Sequence, residues 1–271
     1  MSLLTPIVAL CDLRELYAYD LPFLPLDTGG KLSHIHGTAY NPLDDTLFVA
    51  VTGVDFGKPL ENAILELPAL ISDSPKHRAV SITHLRYIPV DIRDDDVHRV
   101  YARGEGIQDI AFDERDRTLY FAVHNRTVVN IDLAGNVLRY LYLREPDAPD
   151  VNGGGLAILD DSIWIQTASG AMGGIYVAEF DLETGIYKNK RFKIARTGLA
   201  SDSDHNLLWT SNYPNLDEIS AYDPITGRMV YQSSDIARVV KRDGHNAAYG
   251  GGRLWIGSEG GNDRIISLKV L

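Results

Sequence analysis

Five phrases along the chain set a polar residue beside a glycine, each just ahead of a small apolar run. They are His34-Ile35-His36-Gly37, Glu105-Gly106-Ile107-Gln108, Asn152-Gly153, Arg196-Thr197-Gly198 and Asp243-Gly244-His245-Asn246. Brought together, they would collect two carboxylates, several amides and two or three histidines. Carboxylate and amide oxygens suit a hard cation such as calcium, and imidazole shifts the preference toward zinc, manganese or iron. Histidine and carboxylate are also the side chains that most often move protons near neutral pH. The glycines alone need no ligand to explain them, because a crowded backbone or an unusual φ angle also selects glycine. The polar partners are what that explanation leaves over. His34 and His36 would share one face of a regular strand. Gly37 breaks that regularity, and His36 is the candidate of the two.

Residues so far apart in sequence meet only if a repeating architecture returns the chain to one place. Five segments share such a pattern: "HGTAYNPLDDTLFVAV", "QDIAFDERDRTLYFAV", "GGLAILDDSIWIQTA", "TGLASDSDHNLLWTSN" and "GHNAAYGGGRLWIGSE". Each is a small apolar strand, a polar turn and a bulky strand. Aligning the bulky residue gives Phe48, Tyr120, Trp164, Trp209 and Trp255, at spacings of 72, 44, 45 and 46 residues. A four-stranded propeller blade takes roughly 40–50 residues. The first spacing is longer, so blade one carries insertions or a short sixth blade lies inside it. A third strand follows in each unit and ends in a turn, with Asp132, Asp181 and Asp223 each a few residues ahead of a glycine. Asp and Gly are the residues such turns need.

The expected fold is therefore an all-β, five-bladed propeller (six blades being the alternative) spanning residues 1–271 as one domain. The last unit, ending "RIISLKVL", has only three strands. The β-rich "ELYAYDL" at Glu15–Leu21 is expected to supply the fourth and close the ring, since an open sheet edge invites pairing with another chain. In a propeller the five phrases would lie around the mouth of the central channel. Glu105 stands three residues further from its bulky residue than the repeat requires, and Gln108 is the residue in phase.

Composition narrows the partners. The net charge is −11, and the one basic run, "KNKRFK" at Lys188–Lys193, falls in an apparent outer strand. Duplex binding needs clustered Lys and Arg, so neither nucleic acid nor an anionic membrane is expected. Cys11 is the only cysteine, which excludes internal disulfides and cysteine-based zinc sites. The N-terminus has no basic n-region ahead of its short apolar stretch, and a cytoplasmic location is expected.

The phrases "GEG", "NGGGLA", "TGLA" and "DGHNAAYGGGRLW", between about Gly104 and Trp255, resemble those of the senescence marker protein-30/gluconolactonase family. The resemblance implies a propeller with a divalent ion, often Ca²⁺, and hydrolysis of lactones. By motif it would make Glu105, Asn152 and Asp243 the metal ligands. Thr197 stands where the family has a second Asn, and no proline follows Glu105-Gly106. Three functions are compatible with these residues. One is a metal-assisted lactone or ester hydrolase on a small-molecule substrate, with Asp243, His245 or His36 handling the proton. Another is a metal-free cyclase, isomerase or lyase working through His36, His245 and Glu105. The third is a ligand-binding or scaffold propeller without chemistry.

Overall fold

The computed structural model describes residues 11–20, 32–53, 62–69, 86–89, 107–123, 127–143, 151–169, 174–194, 198–211, 218–233, 243–259 and 264–270. They form five antiparallel sheets of four strands each, and no helix. Blade one comprises β2 (Leu32–Asn41), β3 (Thr46–Gly53), β4 (Asn62–Pro68) and β5 (Arg86–Pro89). Blade two comprises β6 (Asp109–Asp113), β7 (Thr118–Val123), β8 (Thr127–Ile131) and β9 (Val137–Tyr142). Blade three comprises β10 (Val151–Leu159), β11 (Ser162–Ser169), β12 (Gly174–Asp181) and β13 (Tyr187–Ile194). Blade four comprises β14 (Ala200–Asp202), β15 (Leu207–Ser211), β16 (Ile219–Tyr222) and β17 (Met229–Ser233). Blade five comprises β18 (Asp243–Gly250), β19 (Arg253–Glu259) and β20 (Arg264–Val270), completed by β1 (Cys11–Asp20) from the opposite end of the chain.

The ring closes where expected. β1 pairs antiparallel with β20, Tyr17 opposite Ser267 and Ala18 opposite Ile266. The closing strand begins four residues earlier than Glu15. The extra length of the first repeat lies between β4 and β6, and the described residues add no sixth sheet there. Residues 234–242, whose sequence "SDIARVVKR" has a short helical pattern, lie outside the described residues, as do the acidic stretch Asp91–Val97 and Met172 and Tyr213, two side chains of the loops after second strands that could touch a ligand.

One register is common to all five blades. Each inner strand sets an alanine directly opposite the aromatic residue of its neighbour: Ala39 opposite Phe48, Ala111 opposite Tyr120, Ala157 opposite Trp164, Ala200 opposite Trp209, and Ala248 opposite Trp255. All ten residues are buried. Each inner strand contacts the next around the ring, and β18 returns to β2. Near the axis the blades converge and leave room for a methyl group. One strand further out the wedge has widened enough to need a large ring. The described core sits in these wedges, for example Tyr120, Leu141, Ile163 and Phe180 between blades two and three. Tyr40 of β2 stacks on Trp255 with ring centroids 6.3 Å apart.

The turns behave as their composition dictates. Asp132 accepts backbone N–H bonds from Ala134 and Asn136, each at 2.9 Å, and Asp223 accepts one from Ile225 at 2.8 Å. Gly135 and Gly227 then take left-handed φ values of 91° and 67°. Hydrogen bonds, chiefly from the Asn136 amide to Asp132, hold that carboxyl below its usual range.

Two outcomes follow from this packing. Ala157→Leu should destabilise the fold by about 1–3 kcal/mol in denaturant titration, because extra methylenes have no space at the axis; a neutral result would mean the axis is loosely filled. Removal of residues 1–20 should lower the melting temperature of the whole domain by exposing the edge of β20. An unchanged melting temperature would show that closure by β1 contributes nothing.

Candidate functional site

Twelve residues before each aromatic residue, the chain passes through His36, Gln108, Asn152, Thr197 and Asp243. The structure places His36 in β2, Asn152 in β10, Asp243 and His245 in β18, and Gln108 one residue ahead of β6. Glu105 and Thr197 lie outside the described residues, as do the side chains of Asn152, Asp243 and His245. Gln108, in phase by sequence, does stand at the mouth of its blade, with its N–H donating to Ala122 O at 2.9 Å. β2 shifts register on both sides of the His34–Ile35 pair, so regular alternation of the two histidines is lost.

The strand entrances are tied to one another by three polar side chains. Asn246 of β18 donates both amide hydrogens, one to His36 O and one to Gln108 O at 2.7 Å. A single amide thus joins the entrances of blades five, one and two. Thr38 donates its hydroxyl to Trp255 O at 3.0 Å, tying blade one back to blade five. Asp109 accepts the Ile110 N–H at 2.9 Å with one oxygen and the Leu156 N–H of β10 at 2.7 Å with the other. β10 is irregular between Val151 and Leu156, which frees that N–H from the ladder. Gly37 lies against Asp109 so closely that a Cβ there would stand 2.7 Å from the carboxylate oxygen and from Ile110 N. This explains one of the recurring glycines by close approach alone.

Because both Asn246 hydrogens point at carbonyls, its Oδ1 is identified without ambiguity. That oxygen is buried and has no hydrogen-bond donor among the described residues. The buried Gln166 Oε1 of β11 also lacks a donor and lies against Gly154, 3.3 Å from where its Cβ would be. Gln166 sits next to Thr167, the partner of Val151, and so at the same end of blade three. Buried acceptors without donors are rare because each costs about 1–3 kcal/mol. These two lie at one end of the axis, where a donor, water included, would satisfy them.

Burial pushes the fully enclosed Asp109 carboxyl well above the ordinary carboxylate range, and its two backbone N–H donors draw it only partly back. Its neighbours make it a staple between blades. Asn246, Asp109 and Gln166 were not singled out by sequence reasoning. The available signal was a polar residue inside an apolar strand. His205 stands exposed in its turn, as its place in "SDSDHN" implies, and is also anchored there: its N–H and ring Nδ1 both meet the buried Asp202, which also accepts Trp209 Nε1 at 2.9 Å.

Below the entrances the axis narrows to a space of about 40 Å³ lined mainly by small residues such as Ala111, Ala200 and Ala247, with the hydroxyl side chains of Thr38 and Ser201 among them. Among the described residues no three His, Cys, Asp or Glu side chains are grouped so as to hold a metal ion, and no helix is long and apolar enough to cross a membrane.

No family model matches the chain, and no curated protein does. Similar solved structures include a glucose dehydrogenase, at 12% identity over 93% of this chain and 91% of that one, with a TM-score of 0.49. A gluconolactonase from Xanthomonas campestris is also similar, at 12% identity over 90% of each chain and a TM-score of 0.48. A chain of a mitotic checkpoint complex matches at 11% identity over 95% of this chain and 78% of that one, with a TM-score of 0.45. Likenesses this remote leave the chain a five-bladed propeller on the strength of its own strand order, and its chemistry rests on its own residues.

Asp109→Asn must turn an NH₂ toward one of two backbone N–H groups, so it should destabilise by about 1–3 kcal/mol. The raised carboxyl also sets a sign. The folded protein holds the Asp109 proton more tightly than the unfolded chain, so its contribution is largest at acid pH. It declines as pH rises through the folded-state value. Thermal melts of both proteins from pH 4 to 8 should therefore show a gap that narrows upward. A gap that widens with pH would mean the carboxylate is stabilised as the anion.

Proposed function

We propose that the entrance face is the active site of a small-molecule enzyme, and that the enzyme is a metal-assisted hydrolase of lactones or small esters. The observation that carries this reading is the Asn246 bridge, which draws the entrances of blades five, one and two to one amide. Blade three joins them through Asp109 and Leu156. That convergence gathers the chain positions of His36, Asn152, Asp243 and His245 at one end of the axis.

The donor set fits a hard divalent cation such as calcium. Glu105 and Asp243 would supply its negative charge and Asn152 a neutral oxygen. The donor-free oxygens of Asn246 and Gln166 show the same end to be rich in acceptors. Such an ion polarises a carbonyl and stabilises the charge that develops on its oxygen. The chain's own residues do the rest. Asp243 or His245 takes a proton from water, and His36 returns one to the leaving oxygen or orients the substrate. The narrow waist keeps a substrate at the mouth. A net charge of −11 disfavours nucleic acid and anionic membranes as partners, and a single cysteine suits an enzyme of the cytoplasm.

The test is metal content after metal-supplemented purification, together with turnover on a panel of lactones and esters. Glu105→Gln should lose the ion while retaining the fold. His245→Ala should keep the ion and lose about 10²-fold in kcat, the usual scale for a displaced proton-transfer group. Full activity in both variants would remove this site. A metal-free wild type that isomerises or eliminates would favour acid–base chemistry through the histidines instead.

A further inference from the structure

At the far end of the axis from His36 and Asn246, the exits of the inner strands and their first turns enclose a second space. It holds about 360 Å³ and is lined by residues of all five blades. This volume lies within the range of small-molecule sites. Three aromatic rings line it: Tyr40 from blade one, Phe112 from blade two and Tyr249 from blade five. Four carboxylates line it as well: Asp113 and Glu114 from blade two, Asp160 from blade three and Asp204 from blade four.

The charges around this bowl do not cancel. The one guanidinium, Arg115, is committed to Asp113 through two hydrogen bonds at 2.9 and 2.8 Å. That pair is internally neutral. Among the described residues, none of Glu114, Asp160 and Asp204 has an ion-pair partner. The Tyr249 hydroxyl donates to Asp204 Oδ2 at 2.9 Å, which orients that carboxylate and leaves its other oxygen available. The three acids come from three different blades, and among the described residues they form no group able to surround a metal ion. Separated negative charges with aromatic surface between them match an extended cation better than a point charge. Ammonium groups can meet each carboxylate through charge-assisted hydrogen bonds, and aromatic faces attract cations and cover methylene stems.

We propose that this bowl is a second binding site, specific for an aliphatic diamine or polyamine. Its ammonium groups meet Glu114, Asp160 and Asp204, and its methylene stem lies against Tyr40, Phe112 and Tyr249. The narrow waist separates it from the entrance face, so it is independent of the catalytic reading given above.

The experiment is calorimetric titration of the full chain with spermidine and with hexane-1,6-diamine. Hexane-1,6-diol, the uncharged analogue, and Ca²⁺ alone serve as comparison ligands. Both amines should bind saturably, more weakly as salt is raised, and the diol should not bind. The combined variant Glu114→Gln, Asp160→Asn, Asp204→Asn should weaken amine binding at least about tenfold. Glu183→Gln, an exposed acid on an outer turn, should leave it unchanged. Asp160 has a left-handed φ of 54°, which Asn adopts readily, so Asp160→Asn alone keeps the turn. It should weaken binding by about threefold even if the combined variant fails to fold. Absence of saturable amine binding would overturn the proposal. So would equal weakening by Glu183→Gln, which would indicate diffuse charge only, or displacement of the amine by Ca²⁺ at comparable concentration.

Discussion

Crowding at the propeller axis is the constraint from which the rest of this structure follows. Five inner strands meet there, and the only side chain that fits opposite each large ring is a methyl group. Ala39, Ala111, Ala157, Ala200 and Ala248 accordingly face Phe48, Tyr120, Trp164, Trp209 and Trp255. Shifting any one of these pairs by a residue would turn the ring of that blade away from its wedge. The register of each inner hairpin is thus set by packing as well as by its turn. The close approach of Gly250 to Tyr40 has the same origin: a Cβ there would lie 1.8 Å from the tyrosine ring.

Because the axis is so narrow, polar groups near it must be satisfied by neighbouring blades. Asn246, Thr38 and Asp109 do this at the entrances, each reaching from its own strand to the backbone of another blade. These contacts knit blades five, one, two and three together on one face. On the opposite face the links run through turns, such as Tyr249 to Asp204 between blades five and four. The waist between the faces is narrow, and the two ends differ in chemistry: backbone-anchored amides at one, separated carboxylates and aromatic rings at the other. A fold with one axis therefore offers two chemically distinct mouths.

The repeat was legible in the chain because each blade must solve the same packing problem. Small strand, polar turn and bulky strand recur at blade spacing, and the missing final strand pointed to the N-terminal segment as the closing piece. The aspartates ahead of glycines named the outer turns, since Asp accepts the turn's own N–H groups and Gly takes the left-handed angle. The polar-before-glycine phrases likewise located the strand entrances, with Gln108 rather than Glu105 in phase in the second blade. All of these are local or periodic signals that a single sequence carries.

Tertiary structure alone decided which polar residues reach across blades. Nothing in the local sequence of Asp109 shows that its second oxygen will meet Leu156, forty-seven residues on, because that contact depends on the irregularity of β10 and on the ring having closed. Asn246 could not be chosen over its neighbour His245 until His36 and Gln108 were brought beside it. His205 looked like an ordinary turn residue until Asp202 was buried beneath it. The bowl at the strand exits was equally invisible, since its carboxylates come from three turns whose sequences look like solvated loops. Side-chain type and period determine which elements form. Which side chains share a space depends on how many blades close the ring and how tightly they converge, and only the assembled fold sets that.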